Sequence, residues 1–536
     1  MNKPIVLIIL DGWGIATEGP GNAITLAKTP NFKSYWGSFP HTSLLASGEA
    51  VGLPKGEKGN SETGHLNIGA GRIVFQDLPR IDMAIADGSF LKNQAFLKAV
   101  EHVKKNNSSL HLMGLIGHGG VHSSLDHLFA LLHFCKEQNL RSVFLHLFTD
   151  GRDSPPTSAM IYLDQILNEL KELGSTAQIA TIVGRYFALD RDIRWERTEI
   201  AYRALVEGKG KTIQEIKPAI TESYENGKTD EFIEPLIING TKRIGKDDAV
   251  IFFNFRIDRP RQLTKAFVID DFQKLIGQKI AFDPYTEKYF KKTYVEKRIA
   301  SIFDRGPKIE NLFFVTMTEY EKDLSVEVAF SPITVTLPLG RILSENNLRQ
   351  LRITETEKER FVTYYFNGQR ELIFPGEDRL IISSPEVATY DQRPEMSALE
   401  VTATLERKLK AKIYDFVLLN FANPDMVGHT GVLKAGIKAC ETIDVCLGKI
   451  VNLVKNLGGV AIITADHGNV EEMINLETGK IDTEHSTNPV PFIVVSNQLL
   501  GKTMKLNQGI LADITPTVLS LLEMKTPTEM SGRVLI

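Results

Sequence analysis

The chain has 536 residues, of which 43% are hydrophobic and 24% are charged. This composition is typical of a folded globular protein and excludes general disorder, and the length favours two to four domains. The formal net charge of −4 excludes a broad cationic surface for nucleic acid. Three cysteines without CxxC spacing (Cys135, Cys440 and Cys446) disfavour a disulfide scaffold and a thiolate zinc site. They favour a reducing compartment, so the sequence predicts a cytoplasmic protein.

The first apolar run covers residues 5–10 and stops at Asp11. It is much shorter than the about 20 residues that a membrane-spanning helix needs. No cleavage-site pattern follows it, which disfavours a signal peptide. The sequence therefore predicts neither a membrane anchor nor a leader.

Short apolar runs that end in a glycine-rich or charged turn predict strands along the whole chain. They cover residues 5–10, 110–116, 143–149, 179–183, 249–253, 415–421 and 460–464. Helical periodicity between them predicts helices at 158–173, 399–412 and 434–456. Strands that alternate with helices predict an α/β fold with mainly parallel sheets, in which ligands bind beyond the carboxyl ends of the strands.

The segment 271–305 is the least regular part of the chain and is rich in Lys, Phe and Tyr. It predicts a surface insertion or a short helical hairpin, and we expect it to have no chemical role.

A first group of residues at the predicted strand ends has the side-chain types that bind metal ions. Carboxylate and imidazole without thiolate suit Mn²⁺, Zn²⁺ or Fe²⁺. Each residue alone also fits a hydrogen-bonded turn or a structural histidine. As a set they predict two adjacent cations that share one serine nucleophile. The group comprises Asp11, Ser61, Asp425, His429, Asp466, His467 and His485.

A second group is cationic and predicts a small, highly anionic ligand. The planar guanidinium of arginine binds carboxylate or phosphate through two parallel hydrogen bonds. The alternative is that each arginine forms an ion pair with a neighbouring aspartate, such as Asp190, Asp192 or Asp258. The group comprises Arg152, Arg185, Arg191, Arg256 and Arg259, together with His122 and Asp153.

The order and spacing of several long motifs resemble those of the cofactor-independent phosphoglycerate mutases, which belong to the alkaline phosphatase superfamily. The resemblance runs from the first predicted strand to the segment around Asp513, near the end of the chain. It is carried by Asp11-Gly-Trp-Gly14, Gly59-Asn-Ser-Glu-Thr-Gly-His65, Thr149-Asp-Gly-Arg-Asp153, Phe253-Asn-Phe-Arg-Ile-Asp-Arg259, Asn423-Pro-Asp-Met-Val-Gly-His429, Ala465-Asp-His-Gly-Asn469 and His485-Ser-Thr-Asn-Pro-Val-Pro491.

The resemblance implies two domains with mainly parallel central sheets. A phosphatase-like metal and nucleophile domain would comprise residues 1–76 and 309–536, and a substrate-binding cap domain would be inserted at 77–308. One Mn²⁺ would be bound by Asp425, His429 and His485. The other would be bound by Asp11, Ser61, Asp466 and His467. Other divalent ions would also fit, and 2,3-bisphosphoglycerate would not be required.

The implied reaction is the interconversion of 3- and 2-phosphoglycerate through a phosphoserine at Ser61. Lys358 would lie beside this nucleophile, polarise the phosphoryl group or the serine oxygen, and contact the substrate. Asp153 would move a proton on the glycerate hydroxyls with help from Arg256. The substrate would be bound by His122, Arg152, Asp153, Arg185, Arg191, Arg256, Arg259 and Lys358.

Two alternatives remain open from the sequence. The first is a metal-dependent phosphomonoesterase or another phosphomutase of the same superfamily, such as a phosphopentomutase. The second is an inactive relative that binds only anions or a partner protein. Nothing in the sequence requires more than a monomer.

Overall fold

The computed structural model describes residues 4–278, 299–475, 478–502 and 506–536. The chain divides into two compact units. The first unit comprises Met1–Pro79 and Ile333–Ile536, and the second comprises Arg80–Pro332. The second unit is therefore an insertion in the sequence of the first.

The strands of the described residues fall into the two units without overlap. They are β1 (Ile5–Leu10), β2 (His41–Leu45), β3 (Leu110–Ile116), β4 (Val143–Thr149), β5 (Gln178–Gly184), β6 (Lys211–Ile213), β7 (Leu236–Ile238), β8 (Ala249–Phe252), β9 (Phe313–Thr318), β10 (Glu327–Phe330), β11 (Gln350–Glu355), β12 (Glu377–Ile382), β13 (Phe416–Phe421), β14 (Val460–Thr464), β15 (Val490–Val495) and β16 (Gly509–Ile510).

The α-helices of the same residues follow most of these strands. They are α1 (Ala23–Leu26), α2 (Pro30–Ser38), α3 (Ser61–Ala70), α4 (Asp77–Ala86), α5 (Gln94–Asn106), α6 (Leu125–Glu137), α7 (Ala159–Glu172), α8 (Arg185–Ala188), α9 (Trp195–Glu207), α10 (Ile216–Glu225), α11 (Pro260–Val268), α12 (Leu339–Glu345), α13 (Ala398–Lys410), α14 (Asn423–Gly428), α15 (Leu433–Asn456) and α16 (Ile514–Leu521). None of the helices in the described ranges is both long enough and apolar enough to cross a bilayer.

The first unit is built on an eight-stranded sheet of order β12-β11-β13-β1-β14-β15-β2-β16. The strands from β12 to β14 are parallel, and β15 pairs antiparallel with both β14 and β2. The central strand β1 has the sequence Ile-Val-Leu-Ile-Ile-Leu and is buried along its whole length. A strand that is covered on both faces needs such a continuous apolar run, which is why the pattern does not alternate.

The second unit is built on an eight-stranded sheet of order β10-β9-β8-β3-β4-β5-β7-β6. The strands from β10 to β5 are parallel, and β7 pairs antiparallel with β5. Two mainly parallel sheets with helices between their strands confirm the predicted α/β fold class. The seven strands predicted from the sequence are all present, and β1, β3, β4 and β14 have the predicted bounds.

The second junction between the units differs from the expected one at residues 308 and 309. The structure places this junction after Pro332, because β9 and β10 extend the second sheet from β8. The expected surface insertion at 271–305 also differs in part, and its residues 279–298 lie outside the described residues. Its flanks pack into the core of the second unit through Phe272, Leu275, Ile299 and Phe303.

A buried hydrogen-bonded chain crosses three adjacent strands of the second sheet, β3, β4 and β5, and continues to Asp248, which precedes β8. His111 Nδ1 lies 2.9 Å from His146 Nε2, and His146 Nδ1 lies 2.8 Å from the Thr181 hydroxyl. On the other side, His111 Nε2 lies 3.2 Å from Asp248 Oδ2, and Lys242 donates to Asp248 Oδ1 at 2.7 Å. Burial lowers the pKa of both imidazoles below their usual value. Both rings are therefore neutral in the folded protein near pH 7.

Because of the two buried neutral histidines, His111 and His146, we expect the second unit to lose stability in mild acid. Below about pH 6.5 the unfolded histidines bind protons that the folded ones do not, so the free energy of unfolding falls as the pH falls. We expect a loss of up to about 1.4 kcal/mol per histidine for each pH unit below that value. Urea unfolding near pH 7.5 and pH 5.5 would measure it, and His146→Gln should reduce the difference. An equal pH effect in this variant would contradict the prediction. The exposed His133→Gln serves as the matched control.

Candidate metal centre and active site

The first candidate site lies at one edge of the sheet of the first unit. Strands β11, β13, β1 and β14 are adjacent and parallel, so their carboxyl ends lie at the same edge. Since β15 runs antiparallel to β14, the residues that precede β15 lie at this edge too. The topology therefore brings together, from five strands, Lys358, Asp425, Asp11, Asp466, His467 and His485.

Ser61 joins this edge as the first residue of α3. The helix begins here because the side chain of the preceding Asn60 accepts a hydrogen bond from the backbone N–H of Thr63. The buried Ser61 Oγ lies 2.9 Å from His467 Nε2 and 3.3 Å from Asp11 Oδ1. The partial positive charge at a helix N-terminus favours negative charge at this position.

Two overlapping groups of side chains have the geometry to hold a metal ion. The first comprises Asp425, His467 and His485, and the second comprises Asp11, Asp466 and His467. Within each group the ligand atoms lie within 4.8 Å of one another. His429 extends the first group, since its Nε2 lies 3.2 Å from Asp425 Oδ1. With Ser61, all seven predicted metal ligands lie in one connected cluster.

The orientation of the imidazoles fits metal binding. The Nδ1 atoms of His429 and His485 lie 2.7 Å from the carbonyl oxygen of Thr483 and 2.8 Å from that of Gly59. Carbonyl oxygens only accept hydrogen bonds, so each Nδ1 carries the proton and each Nε2 of the neutral ring carries a lone pair. These two Nε2 atoms lie 3.0 Å apart and face the Asp425 carboxylate. Two lone pairs and a carboxylate that meet in this way fit a shared cation.

The balance of charge in the cluster also fits divalent cations. Asp11, Asp425 and Asp466 are buried, and Lys358 Nζ lies 2.6 Å from both Asp11 Oδ1 and Asp425 Oδ2. Burial and the charge of Asp466 raise the pKa of Asp11. Burial disfavours the charge on Lys358, but the carboxylates around it outweigh this and raise its pKa. Asp466 Oδ2 is buried and lies 3.2 Å from His65 Nδ1 and 3.5 Å from His467 Nε2. Three buried carboxylates beside one ammonium group leave negative charge that bound cations would neutralise.

Lys358 links both ligand groups to the nucleophile. It follows β11 in a 3-10 turn, and its Nζ lies 2.8 Å from Ser61 Oγ. The Lys358 ammonium group donates a hydrogen bond to the serine oxygen. The position agrees with the expectation that Lys358 lies near the nucleophile.

Sequence reasoning missed three polar side chains that orient the candidate ligands. Asn420 donates to Asp11 Oδ2 at 2.7 Å, and Asn469 donates to Asp425 Oδ1 at 2.9 Å. His65 lies 3.2 Å from Asp466 Oδ2 through its Nδ1. Asn469 and His65 belong to motifs already recognised in the sequence, so their place in those motifs was a usable signal. Asn420 carried only the weaker signal of a polar residue inside an apolar strand.

The second candidate site lies at the corresponding edge of the sheet of the second unit. Strands β8, β3, β4 and β5 are adjacent and parallel, so the residues that follow them lie together. These residues are Arg256 and Arg259 after β8, His122 after β3, Arg152 and Asp153 after β4, and Arg185 after β5. Arg191 follows α8 and joins them through Asp258, to which its NH1 donates at 2.6 Å.

Arg185 is the most buried arginine of this cluster, at 2% exposure. Its NH1 donates to Asp150 Oδ1 and to Asp153 Oδ2, both at 2.5 Å. Its Nε and NH2 have no hydrogen-bond partner among the described residues, and the same holds for Arg259 Nε. These buried N–H groups are donors that an anionic ligand could satisfy.

The alternative of local ion pairs is present at some of the arginines. Asp258 pairs with Arg191 and lies 3.2 Å from Arg256 Nε, while Arg152 pairs with the buried Glu231. These acids orient the guanidinium groups without accounting for every donor. Asp150, Asp258 and Glu231 are thus positioning groups, of which the sequence analysis named Asp258 as an ion-pair partner and did not mark Asp150 or Glu231.

The charge of this cluster also changes the titration of its members. Burial and Arg185 lower the pKa of His122 to about 3, so this imidazole is neutral. Burial opposes the charge of Asp153, but the hydrogen bond from Arg185 outweighs it and lowers the pKa of this carboxyl. Asp153 is therefore ionised and able to accept a proton.

Known proteins are similar to this chain over its whole length. The family model described as BPG-independent PGAM N-terminus (iPGM_N) matches residues 81–322. A 2,3-bisphosphoglycerate-independent phosphoglycerate mutase of Chloroflexus aggregans is 51% identical over 541 residues, which cover 100% of this chain and 98% of that protein. The protein of the same description from Clostridium acetobutylicum is 51% identical over 99% of both chains. A crystal structure of Leishmania mexicana phosphoglycerate mutase, obtained at low cobalt concentration, has a TM-score of 0.58 and 29% identity and covers 100% of this chain and 98% of that one. This chain belongs to the family of 2,3-bisphosphoglycerate-independent phosphoglycerate mutases.

Proposed function

We propose that this enzyme interconverts 3-phosphoglycerate and 2-phosphoglycerate through a phosphoserine at Ser61, and that it needs two divalent cations. One observation carries the proposal. The buried Ser61 hydroxyl lies at a helix N-terminus between two groups of metal-binding side chains, with Lys358 Nζ 2.8 Å away. This is the arrangement that a hydroxyl needs in order to take up a phosphoryl group.

The candidate ligands divide between two ions. Asp425, His429 and His485 would bind one Mn²⁺, and Asp11, Ser61, Asp466 and His467 would bind the other. In the unbound geometry His467 lies within reach of both ligand groups. Bound divalent ions would neutralise the phosphoryl oxygens and lower the pKa of the Ser61 hydroxyl. Oxygen and imidazole ligands support Mn²⁺ among the ions of this class.

The residues of the first unit would carry out the phosphoryl transfer. Ser61 Oγ attacks the phosphorus atom, and the bond between phosphorus and the glycerate oxygen breaks. The Ser61 proton would pass to solvent when the cations bind, and the Lys358 ammonium group donates a hydrogen bond to Ser61 Oγ and offsets the negative charge of the resulting alkoxide. Phosphoryl transfer depends mainly on such positioning and charge stabilisation.

The residues of the second unit would hold the glycerate and move its protons. The carboxylate and hydroxyl groups of glycerate suit the donors of His122, Arg152, Arg185, Arg191, Arg256 and Arg259. The ionised Asp153 accepts a proton from one glycerate hydroxyl and returns it to the other oxygen, while Arg256 stabilises the oxygen that carries negative charge. The second hydroxyl then takes the phosphoryl group back from Ser61, which completes the isomerisation without 2,3-bisphosphoglycerate.

We further propose that the enzyme is a cytoplasmic monomer. The three free cysteines, Cys135, Cys440 and Cys446, are all buried, which fits a reducing compartment. Each candidate cluster draws its charged side chains from a single unit of one chain, so neither cluster needs a second copy.

An enolase-coupled assay without added 2,3-bisphosphoglycerate tests the proposed function. We expect 2-phosphoglycerate to form from 3-phosphoglycerate when Mn²⁺ is present. Steady release of inorganic phosphate without 2-phosphoglycerate would instead support a phosphomonoesterase. The absence of both products would support the inactive relative.

Arg256→Ala should lower mutase turnover by about 10²–10³-fold, because one charged donor to the glycerate oxygens is lost. Metal binding should be unchanged, since Arg256 belongs to the second unit and the candidate metal ligands belong to the first. The coupled assay and a Mn²⁺ titration measure the two effects separately. The exposed Arg141→Ala, at the opposite end of β4, is the matched control. Near-normal turnover of the Arg256 variant would show that this arginine has no role in the reaction.

A further inference from the structure

Three loops of the first unit carry candidate metal ligands and meet at one buried carboxylate. The loops are residues 11–15 after β1, 465–470 after β14 and 485–489 before β15. Glu471 follows the second loop in a short 3-10 turn. It is not among the candidate ligands, yet it contacts all three loops.

The contacts of Glu471 involve both of its carboxylate oxygens. Oε2 accepts hydrogen bonds from the backbone N–H of Gly14 at 2.9 Å and of Asn469 at 2.8 Å. Oε1 accepts from the Ser486 hydroxyl and, at 3.1 Å, from the side-chain amide of Asn488. One side chain thereby joins the loop of Asp11, the loop of Asp466 and His467, and the loop of His485.

Glu471 is 3% exposed, and these four donors are all neutral. Burying a carboxylate is costly unless hydrogen bonds replace its hydration. An ionised carboxylate accepts about four hydrogen bonds and donates none, which matches the four donors around Glu471. The site is therefore built for a carboxylate and not for an amide.

The loops approach this carboxylate so closely that two of their residues need to be glycine. A Cβ atom on Gly14 would lie 2.2 Å from Glu471 Cδ, and one on Gly468 would lie 2.3 Å from Glu471 Oε1. Both distances are far below a van der Waals contact. The glycines of the two motifs are thus explained by the carboxylate that they pack against.

Movement of Glu471 would be transmitted to the candidate ligands through short paths. Asn469, whose backbone N–H it binds, donates its side-chain amide to Asp425 Oδ1 at 2.9 Å. The carbonyl of Gly468 lies 3.2 Å from His467 Nδ1 and accepts from the backbone N–H of Ser486 at 3.0 Å. Ser486 itself directly follows His485. Asp425 and His485 are therefore each connected to this side chain through a single intervening residue, Asn469 for the first and Ser486 for the second.

We propose that Glu471 is a positioning residue that sets the spacing of the three ligand loops and so determines the affinity for the metal ions. The proposal rests on the proposed function in one respect, namely that these side chains bind divalent cations. Groups that orient metal ligands typically contribute about 10–100-fold to metal affinity. Because Glu471 contacts no reacting atom, its loss should weaken metal binding more than the chemical step.

The test is a Mn²⁺ titration of the chelator-treated full chain, with free Mn²⁺ measured by electron paramagnetic resonance. In Glu471→Gln the amide group would face donors, so we expect Mn²⁺ affinity to fall about 10–100-fold. Saturating Mn²⁺ should restore most of kcat. Glu400→Gln, at an exposed glutamate on α13 of the same unit, should bind Mn²⁺ like the unmodified protein.

The possible results distinguish failure of the positioning role of Glu471 from failure of the proposed metal function. Unchanged Mn²⁺ affinity in a folded Glu471→Gln variant would overturn the positioning role, as would a lower melting temperature with normal Mn²⁺ affinity. If this variant does not fold, Ser486→Ala removes a single donor, and unchanged Mn²⁺ affinity there would overturn the role at the His485 loop. Failure of the unmodified protein to bind Mn²⁺ would overturn the proposed metal function itself.

Discussion

Replacing Ser61 by alanine should lower mutase turnover by on the order of 10⁴-fold or more, because the covalent route to phosphoryl transfer disappears with the nucleophile. The hydroxyl lies 2.9 Å from His467 Nε2 and 2.8 Å from Lys358 Nζ, and alanine has no atom that could replace it there. The enolase-coupled assay measures the loss of turnover. Acid quenching of the unmodified enzyme with substrate should trap phosphate on Ser61, and the variant should trap none.

Two measurements distinguish loss of the nucleophile from loss of the fold. Ser61→Ala should retain most of its Mn²⁺ binding, because the carboxylates and imidazoles that dominate both ligand groups remain. Ser520→Ala, an exposed hydroxyl on α16 of the same unit, should leave turnover near that of the unmodified enzyme. Appreciable turnover by a folded Ser61→Ala variant would rule out the phosphoserine route.

The candidate site at the edge of each sheet was predictable because its reactive residues directly follow strands that are recognisable in the sequence. The apolar run at residues 5–10 predicted β1 and placed Asp11 at its end, and the run at 460–464 did the same for Asp466. Local patterns of this kind predict both the strand and the polar residue at its end. These ends were expected to converge because the carboxyl ends of adjacent parallel strands lie at the same edge of a sheet.

The second domain junction was not predictable in the same way. The strand β9 was not among the seven strands predicted from the sequence, although Glu319, Tyr320 and Glu321 directly follow it. Its place beside β8 depends on pairing between residues more than 60 positions apart along the chain, such as Val250 and Phe314. Sequence patterns indicate a strand, but they do not identify the sheet that the strand joins.

The residues that orient the ligands were hidden for a related reason. Glu471 follows a recognised motif, yet a glutamate in a turn is usually exposed, and no local pattern indicates that this one is 3% exposed and packs against Gly14 and Gly468. Asn420 likewise acquires its role through a contact with Asp11, a distant part of the chain. Residue types predict ligands well because few side chains bind metals, whereas many polar side chains can serve as hydrogen-bond partners.

Removing the divalent ions should abolish turnover reversibly and also destabilise the first unit. Without cations, the Nε2 atoms of His429 and His485 face each other at 3.0 Å, and three buried carboxylates share one ammonium group. Ligand binding stabilises a fold by about 2.7 kcal/mol at a concentration 100 times Kd. Mn²⁺ added to the chelator-treated protein should therefore raise its melting temperature and restore 2-phosphoglycerate formation together.

The amount of metal that the enzyme requires should depend on pH, because protons and the metal ion bind to the same imidazole. Burial favours neutral His429, but the Asp425 carboxylate outweighs it and raises the pKa of this imidazole, so protons compete with the metal in a pH range that begins above the ordinary histidine value of about 6.5. The Mn²⁺ concentration for half-maximal activity should rise in this range, while kcat at saturating Mn²⁺ should change less. Elemental analysis would establish that the chelator-treated protein is free of metal. Full turnover by such metal-free protein would contradict the two-cation site, because the reaction would then proceed without the cations that the proposal requires.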